Sequence, residues 1–238
     1  MKIDNPQKTA QDIILPVLKD CFKDNLKSVI LYGSSASDMF NSRYSDLNIL
    51  VLLDKSSSDA IFQLGKKSGS ILRKYRVTAL VLTVESFINS ADVFPMEYND
   101  IADRHVLLYG DDAVGRLEIT RTNLRHQLEE RLRGLSNQIR QIILNSRGSR
   151  RLLKVNISML PGSVKTILRS ALRLKGVSVN NMTDKKLFSE TELKYDLNFS
   201  SCMNISEMTG DTDIFTVTTL LLENIDKLTE EIDLMGRR

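Results

Sequence analysis

Apolar residues along the chain follow two regimes. Up to about residue 112, short β-rich runs alternate with stretches of helical spacing. The runs are Val29 to Tyr32, Leu47 to Leu53 and Val77 to Val84. Between the last two, Ser56 to Tyr75 places Ile61, Leu64, Ile71 and Leu72 at three- to four-residue intervals, which predicts a helix with one apolar stripe. A first helix is expected over about residues 7–24, with Ile13, Ile14, Val17 and Leu18 inward. Pro16 removes a backbone donor within it and favours a kink. Helices alternating with strands at these lengths predict an α/β or α+β layer with helices covering a sheet.

Beyond residue 112 the short runs stop. Leu117, Leu124, Leu128, Leu132, Leu135, Ile139 and Ile142 form one stripe, as on a long helix. A second helical stretch covers about residues 151–174, with Pro161-Gly162 expected to kink or split it and Gly176 to cap it. Residues 177–212 are polar, with helical propensity around Asp184 to Tyr195. A last helix is expected from Asp213 to Met235, with Leu220, Leu221, Ile225, Leu228 and Ile232 inward. The change of period puts a domain boundary at Gly110-Asp111-Asp112, dividing residues 1–112 from a helical bundle over 113–238.

Charge follows the same division. The net charge of +3 conceals blocks: 13 basic against 15 acidic residues over 1–112, 14 against 3 over 113–175, and 6 against 12 over 176–238. The simplest expectation is a basic helix packed beside the acidic last one, which carries Glu223, Asp226, Glu230, Glu231 and Asp233. The basic block also makes RNA a possible partner, through electrostatics alone. No aromatic residues interleave with its arginines, so a stacking platform for bases is not expected. No apolar run is long enough for a membrane span, and Met1 to Pro6 has no signal-peptide core. Cys21 and Cys202 offer neither a disulfide framework nor zinc spacing, so a reducing, cytoplasmic setting is expected.

The candidate chemistry lies in the first regime. Gly33-Ser34-Ser35 sits where a strand ends, and a glycine there permits a tight turn whose N–H and hydroxyl groups suit phosphate oxygens. Ser45-Asp46-Leu47-Asn48 opens the next strand. Alternation sends Asp46 and Asn48 to one face while Leu47 enters the core. Polar groups there, facing a phosphate-binding turn, are placed to hold Mg²⁺ against a triphosphate.

These two segments, Leu31-Tyr32-Gly33-Ser34-Ser35-Ala36 and Ser45-Asp46-Leu47-Asn48-Ile49-Leu50-Val51, resemble the signature of the nucleotidyltransferase superfamily. That superfamily includes the minimal and aminoglycoside nucleotidyltransferases and DNA polymerase beta. Ser90 to Ile101 and Leu108 to Asp112 look like a group of bacterial two-domain members in which a helical domain follows. The resemblance implies an α+β fold, a mixed sheet flanked by helices, followed by a helical bundle. It implies that a nucleoside triphosphate, ATP first among candidates, binds at Gly33, Ser34, Ser35 and Ser45. Asp46 and Asn48 would then serve as catalytic and metal ligands for Mg²⁺, and an unknown acceptor hydroxyl would attack the α-phosphorus.

The chain departs from the family pattern at two places. Position 48 is Asn where the family has its second Asp. The expected third acidic residue is missing from Val77 to Val84, with Glu85 and Glu97 lying outside that strand. Three readings follow: a transferase with a relaxed metal site; a nucleotide-binding or antitoxin-like regulatory protein of the same fold; and a metal-independent nuclease based on Arg121 and His126, whose spacing fits an Arg-then-His pattern.

Overall fold

The structure is a computed structural model that describes residues 3–37, 40–43, 45–200 and 213–236 of the 238-residue chain. It is mixed α+β and divides into two compact units, residues 1–119 and 120–238. Cys202, with the rest of residues 201–212 at the end of the polar stretch, lies outside the described residues.

In the first unit, α1 (Pro6–Thr9) runs through a π-turn (Ala10–Ile14) into α2 (Leu15–Phe22). Pro16 is absorbed here: the N–H of Leu15 reaches back five residues to Ala10, widening the helix just before the proline. Then come β1 (Leu26–Tyr32), β2 (Leu47–Leu53), α3 (Ser58–Lys74), β3 (Val77–Thr83), α4 (Val84–Asn89), α5 (Pro95–Asp103) and β4 (His105–Gly110). The sheet order is β3-β2-β1-β4. β1 is antiparallel to both β2 and β4, whereas β2 and β3 are parallel and joined through α3.

Strand alternation separates two cores. Val29, Leu31, Leu47, Ile49, Val51 and Leu53 face the N-terminal helix and α3, packing on Ile14, Leu18, Phe22 and Leu64. Ile30, Leu50 and Leu52 face the other way, onto Phe87 of α4 and Tyr98 and Ile101 of α5. Ala113 and Val114 are buried in this second core, with Leu117 and Ile119 packed against it. Leu117 therefore belongs under the sheet and not to the long helical stripe: Thr120 caps the helix after it by accepting the N–H of Asn123.

The second unit is helical: α6 (Arg121–Ser146), α7 (Arg150–Ile157), α8 (Pro161–Leu174), α9 (Asp184–Tyr195) and α10 (Ile214–Leu234). Pro161 splits α7 from α8 and stands in the first turn of α8, where its missing N–H costs nothing. Gly176 ends α8 at φ +74°, with Val177 donating back to Leu172. Leu124, Leu128, Leu132, Leu135 and Ile139 of α6 are buried, as are Leu221, Ile225, Leu228 and Ile232 of α10, whereas Leu220 is exposed. Basic and acidic helices do pair: Arg140 of α6 donates to Asp226 of α10 at 2.8 Å, and Arg150 lies 3.1 Å from Asp213. Among the described residues no helix is long and apolar enough to cross a membrane.

Candidate functional site

β1 ends in a tight turn. Tyr32 is extended, Gly33 has φ +69°, and Gly33–Ala36 forms a 3₁₀ turn. A glycine is required there because φ in that range is costly for other residues. The N–H of Gly33 bonds the carbonyl of Arg104 at 2.9 Å, holding the turn to the start of β4. Ser35 is buried. Its hydroxyl donates to the Tyr32 carbonyl at 2.7 Å and lies 3.4 Å from the N–H of Asn48. Ser35 thus braces the turn against β2, while Ser34 is half-buried and its carbonyl takes the Ser37 N–H at 3.2 Å.

The strand bearing Asn48 meets this turn side by side. Tyr32 pairs with Asn48 across β1 and β2, and a Cβ built on Gly33 would sit 3.4 Å from Nδ2 of Asn48. Leu47 is fully buried in the first core, so Asn48 projects to the opposite face, where Leu50 and Leu52 also point. Asp46 is exposed and stands immediately before β2.

The approach to β2 is fastened at several points. The N–H of Ser45 bonds the Asn41 carbonyl at 2.8 Å, and the Ser45 hydroxyl accepts the N–H of Asn41 at 3.0 Å. Arg76, between α3 and β3 at φ +49°, donates from Nη1 to the Arg43 carbonyl at 2.6 Å and from Nη2 to that of Ser42 at 2.8 Å. Its own carbonyl receives the N–H of Leu47 at 2.9 Å.

Strand register shows what flanks Asn48. Thr78 of β3 pairs with Asn48, Asn48 with Tyr32, and Tyr32 with His105 of β4. This row across the end of the sheet contains no carboxylate. Thr78 occupies the β3 position beside Asn48, and Glu85 and Glu97 fall in the first turns of α4 and α5, both exposed. Among the described residues no three His, Cys, Asp or Glu side chains converge as a metal site. Burial raises the phenol of Tyr32 above its ordinary value, so it stays neutral at physiological pH.

His105 and Asp112 tie the outer end of the row. Nε2 of His105 lies 3.2 Å from Oδ2 of Asp112, and Nδ1 lies 3.2 Å from the Ala102 carbonyl. Oδ1 of Asp112 accepts the N–H of Val114 at 2.9 Å. Burial raises the Asp112 carboxyl, but the hydrogen bonds from His105, Val114 and Gly115 outweigh it and the net shift is downward. A depressed folded pKa contributes stability above the unfolded value of about 4, lost as pH falls through the folded one. Asp112→Asn is therefore expected to flatten the acid limb of the stability profile below about pH 4. Acid titration of wild type and variant by circular dichroism measures it.

A cavity of about 360 Å³ adjoins the turn, lined by Asp4, Asn5, Pro6 and Gln7 at the start of α1 and by Ser35, Ala36, Ser37 and Phe40. Asn5 already caps α1 there, accepting the N–H of Lys8 at 2.8 Å. In the second unit, Arg121 and His126 line one cavity. Sequence spacing alone left open whether they meet.

No family profile matches the chain, and no curated protein does. Similar solved structures include the tri-AMPylated HEPN toxin in complex with MNT antitoxin of Shewanella oneidensis. There the identity is 24% over 44% of this chain and 73% of that chain, with a TM-score of 0.30. Spectinomycin adenyltransferase AAD(9) of Enterococcus faecialis, solved with ATP and spectinomycin, is 11% identical over 90% of this chain and 96% of that chain, with a TM-score of 0.47. Both neighbours are of the nucleotidyltransferase fold, and the likeness to each is modest.

Proposed function

We propose that the first unit is a nucleotidyltransferase-type domain that binds a magnesium nucleoside triphosphate, ATP being the expected one, and acts as a nucleotide-binding regulatory module with little or no transfer activity. The observation that carries this reading is the meeting of the Gly33 turn with the side chain of Asn48, beside a sheet row without carboxylates.

In this reading Gly33 and Ser34 receive the phosphates. Ser35 and Ser45 hold the two loops in position. Asp46 and Asn48 supply one carboxylate and one neutral oxygen to the metal. That donor set suits a single Mg²⁺ that takes its remaining ligands from phosphates and water. It does not suit a pair of ions clamping both the attacking and leaving oxygens, which needs more carboxylates than this row holds. When bound, the metal neutralises phosphate charge. The chain's own part is to orient the triphosphate. Residues 1–119 supply this function and 120–238 the helical domain, the boundary falling a few residues beyond the expected 112 because Ala113 and Val114 pack under the sheet.

Titration calorimetry with ATP and Mg²⁺ tests the proposal without knowledge of an acceptor. Saturable binding by the wild type is expected, weakened tenfold or more in Asp46→Ala, with no pyrophosphate released. Absence of ATP binding removes the proposal. Steady Mg²⁺-dependent pyrophosphate release would make the protein a working transferase instead.

A further inference from the structure

We propose that the second unit carries its own anion site, a cavity at the start of α6 that takes the phosphate groups of a nucleotide-sized ligand. The cavity measures about 640 Å³, within the range of small-molecule sites, and three helices build it. α6 contributes Arg121, Thr122, Arg125 and His126, the end of α8 contributes Leu174 and Lys175, and the end of α10 contributes Met235 and Gly236.

The cations fall into two kinds. Arg125 is fixed. Its side chain is only 13% exposed, Nη1 bonds Glu129 at 2.9 Å, and Nη2 lies 3.0 Å from Nδ1 of His126. Its guanidinium lies against Gly236, where an added Cβ would come within 2.6 Å of Cζ. Arg121 and Lys175 are exposed and make no ion pair among the described residues. Lys175 rests over the ring of Tyr195 at 4.8 Å, a contact that leaves its ammonium donors available. One arginine is thus a rigid floor, and the other two cations remain open to a ligand.

Facing charge favours an anion. Glu129 is shared between Arg125 and Arg133, the latter at 2.8 Å, so two guanidinium groups offset it. Glu231 of α10 acts on Tyr195 alongside Arg121. Among the described residues that line the cavity, Arg121, Arg125 and Lys175 are cationic and none is a carboxylate. The N–H groups of Arg121 and Thr122, in the first turn of a 26-residue helix, add positive potential. Among the described residues no aromatic ring lines the cavity, and Leu174 and Met235 form a plain apolar wall. Recognition therefore rests on phosphate, with little selectivity for the base.

The chain has two histidines, one in each unit, so each unit carries its own spectroscopic reporter. Pyrophosphate and then ADP, without Mg²⁺, would be titrated into the full chain while imidazole proton resonances are followed, with His126→Gln assigning them. A saturable shift of the His126 signal is expected, and it should weaken tenfold or more in Arg121→Ala/Lys175→Ala. Both substitutions are at exposed positions, so the fold should survive. Gly236→Ala, which displaces Arg125, should weaken it independently. An unmoved His126 signal overturns the proposal, as does a shift unchanged in the double variant or one reproduced by sulfate at equal ionic strength. Binding of an RNA oligonucleotide that strengthens with length and exceeds that of ADP more than tenfold also overturns it, since the surface would then be a polyanion track. A shift at His105 alone would report only on the first unit.

Discussion

Replacing Gly110 by alanine should destabilise the first unit by about 3 kcal/mol or more, because two independent penalties coincide at one atom. Gly110 closes β4 at φ +79°, where a side chain costs about 1–2 kcal/mol. The new Cβ would also lie 1.8 Å from the Lys27 carbonyl oxygen and 2.8 Å from its carbon. Backbone cannot yield by that much, so β4 must withdraw from β1 where Ser28 pairs with Gly110 and Val29 with Tyr109. The expected result is loss of hydrogen-exchange protection over residues 26–32 and 105–110, with α6 and α10 unchanged. Ser28→Ala is the matched control. Ser28 is 2% exposed and its hydroxyl finds no hydrogen-bond partner among the described residues, so removing it should be neutral or stabilising by about 1 kcal/mol. Wild-type protection in Gly110→Ala would show that β4 is not held in this register.

Asn48→Asp should raise affinity for magnesium-ATP by tenfold or more. The side chain already lies beside the Gly33 turn, and the substitution changes an amide to a carboxylate of nearly the same shape. A unit charge pair at 4 Å is worth about 4 kcal/mol at an effective dielectric of 20. Desolvation and the lost amide oxygen reduce this, yet a third of it is a factor of ten. Calorimetry should show the gain only with Mg²⁺ present. Without metal the added charge should repel the triphosphate and weaken binding. Equal effects with and without Mg²⁺ would mean that residue 48 does not face the metal. Appearance of pyrophosphate release in this variant would strengthen the view that the native chain is a transferase scaffold short of ligands.

Much of the fold was readable from periodicity. The three apolar runs became β1, β2 and β3, and the stripes of α6 and α10 are buried largely as spaced, whereas in α3 only Leu64 is buried, Ile71 and Leu72 are half-buried and Ile61 is 42% exposed. β4 was not legible as a strand. It is a six-residue edge element, half-exposed, with Leu107 40% exposed, and such a strand has no clean alternation. Leu117 and Leu220 mislead because an apolar residue in phase with a helix is indistinguishable in sequence from one inside its buried face. Gly33, Asp46 and Asn48 could be picked out by local chemistry. Their flanking row could not: Thr78 and His105 reach Asn48 and Tyr32 only through strand register, which is set by contacts far apart in sequence. The bracing roles of Ser35 and Ser45 were hidden for the same reason, since a hydroxyl's partner is a matter of geometry.

Arg76 grips the peptide carbonyls of Ser42 and Arg43. The path of the chain at positions 42 and 43 is therefore fixed through its backbone. Mutational tolerance should be broad at position 42 and narrow at 76. Lysine there would forfeit the two-pronged hold, because a single ammonium lacks the planar spread that spans adjacent carbonyls.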